Sequence, residues 1–168
     1  MSSPESGSET IETIAVIGAG TMGHGIAQVA AAAGFRVWLN DVDRESLARG
    51  VSAIEANLAK GIQRAKLTED DRDRTLQLIH GTTNLEECAA ADLIIEAAPE
   101  KLELKQNILR QLETVSDHPF IFASNTSSLS ISEIAAPSSR PEAVVGMHFF
   151  NPVHIMRLVE IEIGRAHV

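Results

Sequence analysis

Apolar and polar positions along the chain fall into short blocks whose period changes from strand-like to helical and back. Thr13-Ile-Ala-Val-Ile17 is a β-branched run with an apolar core, the pattern of a buried strand. The alanine-rich segment Ile26 to Ala33 predicts a helix that stops at Gly34. Arg36-Val-Trp-Leu-Asn40 predicts a second strand. Leu47, Val51, Ile54 and Leu58 recur at helical spacing, so Arg44 to Lys60 predicts a helix. Another is expected from Thr68 to Leu78, with Thr68 as its cap and Asp71 three residues on. Ile79 to Thr83 predicts an edge strand and Asp92-Leu-Ile-Ile-Glu96 a buried one. Leu102 to Val115 predicts an amphipathic helix. Phe120 to Ala123, Ala143 to Met147 and Leu158 to Ile161 complete the strands. The linker-like stretch from Ala136 to Pro141 reads as a surface loop. Strands alternating with helices specify an α/β fold with a doubly wound, mostly parallel sheet and right-handed crossovers.

The 168 residues suit one domain, or one domain with a piece of a second, and 44% hydrophobic residues suffice for a buried core. A net charge of −9 argues against nucleic acid as a partner. A small anionic ligand stays possible, because helix ends and single basic residues act locally. Cys88 is the one cysteine, so no disulfide forms within the chain. That fits a reducing compartment, and the cytoplasm is the expected location. No apolar run approaches the roughly 20 residues of a membrane-spanning helix. The opening MSSPESGSET is polar, and residues 1–12 are expected to form a disordered tail.

Between the first strand and the first helix lies Gly18-Ala-Gly-Thr-Met-Gly23. Such a glycine pattern alone is weak evidence. Here a strand precedes it, a helix follows, and an acidic residue, Asp41, ends the next strand. Gly18 would permit a tight turn, and Gly20 would let backbone approach a pyrophosphate. Gly23 would let helix and strand pack closely. Amides at the helix start, around Thr21 and Met22, would face the phosphates. Asp41 could accept hydrogen bonds from both ribose hydroxyls and would repel a 2′-phosphate, favouring NAD over NADP. Arg44, close by, could neutralise such a phosphate. A Rossmann-type fold of this kind could also hold FAD or another nucleotide.

Two further segments bear chemistry. Ser124-Asn-Thr-Ser-Ser128 follows a parallel strand, where ligand crevices form. His148 follows the strand ending at Met147, with Phe149 and Phe150 to exclude water and Pro152 to fix the loop. Its imidazole could take an alcohol's proton as hydride leaves, and Glu160, at the next strand, could fix its tautomer. Singly, a lone histidine and a serine-rich turn are each more often structural.

The blocks VIGAGTMGHGIAQVAA, ADLIIEAAPEKLELK, FASNTSSLSI and GMHFFNPVHIMRLVE resemble the L-3-hydroxyacyl-CoA dehydrogenase family, over Ile14 to Ile161. The pattern is most like the bacterial enzymes acting on 3-hydroxybutyryl-CoA and 3-hydroxyadipyl-CoA. The resemblance implies NAD as cofactor, bound by Gly18, Gly20, Thr21, Met22, Gly23 and Asp41. It implies His148 as catalytic base, Glu160 as its partner, and Ser127 as the serine that hydrogen-bonds the substrate's 3-oxygen. Glu100 and Lys105 match positions lining the nicotinamide side, and Asn151, after the two phenylalanines, matches a further cofactor-binding position. Arg64 falls where the family places a basic residue toward the CoA phosphates. Asn57 stands where some members have a CoA-binding serine. Lys66 reads as a solvated charge. No metal is implied, and an acyl-CoA substrate and a full-length homodimer are.

Family members continue into a helical domain that supplies much of the dimer contact and part of the acyl site. The closing Glu162-Ile-Gly-Arg-Ala-His-Val168 departs from the family and resembles one reading frame of a sequencing-library adapter. Residues 162–168 are therefore expected to be a non-native tail, in which His167 has no role, after an NAD-binding domain over 13–161. The expected activity is reversible oxidation of L-3-hydroxyacyl-CoA to 3-oxoacyl-CoA, with this chain alone inactive. The alternatives are an NAD-binding module without catalysis and a related dehydrogenase of a non-CoA hydroxy acid.

Overall fold

The computed structural model describes residues 10–164; the first nine positions of the expected polar tail, and His167 with its neighbours, lie outside them. Seven strands form one sheet: β1 (Thr13–Ile17), β2 (Arg36–Asn40), β3 (Ile79–Thr82), β4 (Leu93–Glu96), β5 (Ile121–Ser124), β6 (Val144–Phe149) and β7 (Val159–Ile163). Their order is β3-β2-β1-β4-β5-β6-β7. All neighbours run parallel except β6 and β7. The chain steps from β1 outward through β2 to β3, then returns to lay β4 on the other side of β1. The crevice at this reversal, beyond the carboxyl ends of β1 and β4, is where doubly wound sheets bind ligands.

Helices α1 (Gly23–Ala32), α2 (Arg44–Gln63), α3 (Glu69–Gln77), α4 (Leu102–Val115) and α5 (Ile131–Ala135) flank the sheet. Every residue of β1 is buried, because helices cover both faces. Ile14 and Val16 join Ile26, Leu39, Ile54 and Leu58 on one face. Ala15 and Ile17 join Ile94, Leu109, Leu112 and Phe122 on the other. The period of two along the strand thus sorts one pentapeptide into two cores.

Helix boundaries follow local chemistry. Asp43 caps α2 by accepting from the Ser46 amide at 2.8 Å. Thr68 caps α3 in a reciprocal box with Asp71, whose carboxylate accepts from the Thr68 amide at 2.9 Å. These bonds from Thr68, with the Arg74 guanidinium beyond them, hold the Asp71 carboxyl below its ordinary value. The expected start of a strand at Asp92 is corrected to Leu93. Asp92 instead turns its side chain to the head of β1, where Oδ2 accepts from the amides of Glu12 and Thr13 at 2.9 and 2.8 Å. α5 was not anticipated: five residues are too few for a periodic signal. Its start is nonetheless written in Ser130, whose hydroxyl accepts from the Glu133 amide.

Candidate functional site

The glycine turn between β1 and α1 is built by exclusion. Gly18 has φ +100°, and a Cβ there would lie 2.8 Å from the Ala97 carbonyl oxygen. A Cβ on Gly23 would lie 1.6 Å from the Gly18 carbonyl oxygen, so no side chain is tolerated where helix meets turn. At Gly20 the situation is the opposite: a Cβ would meet nothing within 4 Å. Backbone there borders open space that a ligand can use. The amide of Ala19 donates to Asp41 Oδ2 at 2.9 Å, whereas those of Gly20, Thr21 and Met22 have no partner among the described residues. Asp41 Oδ1 accepts from the Asp43 amide at 3.1 Å. The carboxylate is thereby fixed at the lip of the turn, with lone pairs left on both oxygens. Free amides at a helix start, an open backbone face and a fixed carboxylate fit a dinucleotide's pyrophosphate and ribose.

Two glycines not singled out in the sequence also set this region. A Cβ on Gly50 would stand 2.6 Å from the Ala19 carbonyl oxygen, so α2 presses on the turn. A Cβ on Gly25 would stand 2.9 Å from the Val153 Cβ, so the loop after β6 seats on α1. Gly50 carries the signal of a glycine inside a helical pattern, which marks close approach; Gly25 lies before the helix expected from Ile26 and falls inside α1 only because that helix starts at Gly23. His24 adds a ring nitrogen 2.7 Å from the Gly20 carbonyl oxygen.

The second part of the site is built across strands. His148 lies within β6, which runs to Phe149, two residues past the expected Met147, because β7 pairs alongside. The antiparallel register sets His148 directly opposite Glu160. His148 Nδ1 is 3.1 Å from Glu160 Oε2. The imidazole is 28% exposed and the carboxylate 63%, so the pair is open to solvent rather than part of the core. The Phe150 ring lies against the imidazole with centroids 4.6 Å apart. Asn125, also unanticipated, accepts from the Phe149 amide at 2.8 Å and fastens the turn after β5 to the end of β6.

Between these parts stands Glu100. Its Oε1 accepts from the Thr126 hydroxyl, and from the Ser127 amide and Ser128 hydroxyl at 3.2 Å each. Burial opposes its ionisation, but the bonds from Thr126 and Lys105 outweigh that and hold its carboxyl below the ordinary value. Ser127 itself is exposed. Lys105, expected on the nicotinamide side, is 1% exposed, and its ammonium lies between Glu96 and Glu100. A buried ammonium is costly without counter-ions, and Glu96 supplies the one that sequence gave no reason to seek. Asn151 is exposed beyond β6.

A cleft of ≈ 560 Å³ opens between α1, α2 and the loop after β6. Asn57, Lys60, Arg64, Lys66, His154 and Arg157 line it. Asn57 donates to Gln28 Oε1 at 3.1 Å. Lys66, read as merely solvated, shares this wall with Arg64. Burial, then the charges of His24, Lys60 and Arg64, push the His154 imidazole below its ordinary value. Basic side chains thus gather in a chain of net charge −9. Among the described residues no helix is long and apolar enough to cross a membrane, and no cluster of three or more potential metal ligands occurs.

Residues 13–166 match the family described as 3-hydroxyacyl-CoA dehydrogenase, NAD binding domain. The chain is 47% identical over 156 residues to 3-hydroxyadipyl-CoA dehydrogenase of Escherichia coli strain K12, covering 93% of this chain and 33% of that protein. It is 46% identical to 3-hydroxybutyryl-CoA dehydrogenase of Bradyrhizobium diazoefficiens, covering 93% and 53%. The crystal structure of (S)-3-hydroxybutyryl-CoA dehydrogenase from Ralstonia eutropha superposes with a TM-score of 0.89 at 43% identity, covering 92% and 55%. The chain therefore spans between about a third and about half the length of these relatives.

Proposed function

The chain belongs to the 3-hydroxyacyl-CoA dehydrogenase family through its NAD-binding domain, and from that premise we propose that it serves the reversible oxidation of an L-3-hydroxyacyl-CoA, 3-hydroxybutyryl-CoA foremost. The observation that carries the reading is the His148–Glu160 contact of 3.1 Å beside a crevice fitted for a dinucleotide. With Nδ1–H donating to the Glu160 carboxylate, the proton is held off Nε2, whose lone pair is free to accept. Nε2 then takes the proton of the 3-hydroxyl, and Glu160 stabilises the imidazolium that forms. Bound NAD supplies the acceptor for the hydride that leaves C3. Ser127 donates to the 3-oxygen and orients it. Glu100 borders the nicotinamide side, Lys105 acts from behind it, and Asn151 closes the crevice beyond the phenylalanines.

The cleft lined by Lys60, Arg64 and Lys66 supports a CoA thioester over a hydroxy acid lacking CoA, because phosphates need such cations. Arg64 meets a phosphate there, and Asn57 a polar edge of the same ligand. The complete enzyme works as a homodimer in the cytoplasm. Glu160 is 63% exposed, and a dyad this open to water lacks the exclusion that hydride transfer requires. NADH binding without turnover is therefore expected of residues 1–168 alone. The test is an NADH fluorescence titration, followed by acetoacetyl-CoA reduction monitored through NADH absorbance. Rapid reduction by this chain would refute its inactivity, and failure to bind NADH would remove the dehydrogenase reading altogether. Faster oxidation of a non-CoA hydroxy acid in a parallel assay would reassign the substrate class.

A further inference from the structure

Two polar side chains that the proposed chemistry leaves unused are almost wholly buried: Glu96 at 0% exposure and Thr126 at 6%. They stand at opposite ends of one continuous path of hydrogen bonds. Glu96 ends β4, the strand beside β1 at the centre of the sheet. It accepts from the Ala98 amide and the Ser124 hydroxyl at 2.6 Å each, and from Lys105 Nζ at 2.8 and 2.9 Å. Lys105 reaches in from α4, and its ammonium also lies 3.2 Å from Glu100 Oε2. Glu100 turns its other oxygen to the turn between β5 and α5, where Thr126, Ser127 and Ser128 all donate to it. Thr126 Oγ1 then accepts from the amides of Ser128 and Leu129 at 3.3 and 2.9 Å. The backbone on both sides of Ser127 is pinned by these bonds. The Ser127 hydroxyl has no partner among the described residues.

The charges explain why the path holds together. One ammonium stands between two carboxylates, so a unit of negative charge remains over the trio. Glu96 has no access to water, while Glu100 is 38% exposed and is ringed by donors from the turn. The turn needs a carboxylate to gather its hydroxyls and amide, and the carboxylate needs those donors to offset its burial. Neither half keeps its geometry without the other.

We infer that Glu96 and Thr126 are positioning residues, which carry the rigidity of the central strand through Lys105 and Glu100 into the turn and so fix where Ser127 presents its hydroxyl. The inference rests on reading Ser127 as the group that meets the substrate's 3-oxygen.

The test uses the ligand-free chain, with the Glu100 carboxyl titrated by NMR and amide exchange followed at Ser127 to Leu129. Thr126→Val should raise the Glu100 titration toward the ordinary carboxylate value. It should also speed exchange at Ser128 and Leu129 about tenfold, because both amides lose Thr126 Oγ1 as their acceptor. Thr126→Ser should restore both, which a purely space-filling role for Thr126 would not require. Glu96→Gln removes the competing charge on Lys105 and should move the Glu100 titration further down. An unmoved Glu100 titration in Thr126→Val, or in Glu96→Gln should Thr126→Val not fold, would overturn the inference. So would faster exchange throughout the protein rather than in the turn. NADH titration of the unaltered chain runs alongside: absent binding sinks the dehydrogenase reading, whereas intact binding with an unmoved Glu100 sinks the relay alone.

Discussion

The glycine turn and the His148–Glu160 pair differ in how they are made. The turn is contiguous in sequence, closed on all sides but one, and specified by atoms that cannot be added: 1.6 Å separates a Cβ on Gly23 from the Gly18 carbonyl oxygen. The pair joins residues twelve apart through strand register, and every residue of β7 is exposed. One half of the site is thus held by packing and the other by pairing at a sheet edge. Packing is intolerant of added volume, whereas exposed pairs contribute little to stability. Added volume in the glycine turn should therefore cause structural failure, whereas removing a polar group at either end should fail only in binding or chemistry.

Gly23→Ala presses hardest on this contrast. It should destabilise the fold by about 3 kcal/mol or more and abolish NADH binding. Denaturant unfolding and NADH fluorescence check it, and a stable protein that still binds would show the turn to be deformable. Asp41→Ala removes the carboxylate proposed to meet the ribose hydroxyls. NADH affinity should fall by about tenfold to a hundredfold, the range of one or two charge-assisted bonds, in a protein that still unfolds cooperatively.

At the other end, Glu160→Gln should change unfolding free energy by no more than about 1 kcal/mol, as for other exposed pairs. NADH affinity should stay within about twofold. A large loss of stability in urea unfolding would show that the sheet edge is a structural staple. The smallest effect concerns His154. Its imidazole is held below its ordinary value, so protonation is disfavoured in the folded state. Its contribution to stability is therefore complete above the ordinary imidazole value and is lost as pH falls from there through the lowered folded value. A CoA phosphate entering the cleft would reverse the sign and move the His154 titration upward. NMR with and without acetoacetyl-CoA measures that shift, and an unmoved titration would place the CoA phosphates elsewhere.

The same contrast explains what could be read from the sequence. β1, the glycine turn, α1 and Asp41 were legible because each role follows from residues within one strand–helix–strand unit. His148 and Glu160 were legible as candidates, but their meeting depended on β6–β7 register. Glu96 was read only as the polar end of a buried strand. Its partner lies on α4 and its neighbour Ser124 on β5, so nothing local marks it as a counter-ion. Asp92 looks like part of a strand for a similar reason: its three donors from Glu12 and Thr13 lie about 80 positions away. Gly50 carries a signal, an interior helical glycine, without saying which atom approaches, and Gly25 stands just ahead of the helix legible from Ile26.

The seating of Val153 on Gly25 has a thermodynamic consequence. The loop that follows His148 rests on the same helix whose first turn would face the pyrophosphate. A ligand that restrained the start of α1 would also restrain that seat, and the loop would then lose less freedom if a second ligand settled on it. Affinities linked in this way must rise together and by the same factor, whichever ligand arrives first. Were both ligands to bind as proposed, the glycine at position 25 would be a joint between two binding equilibria.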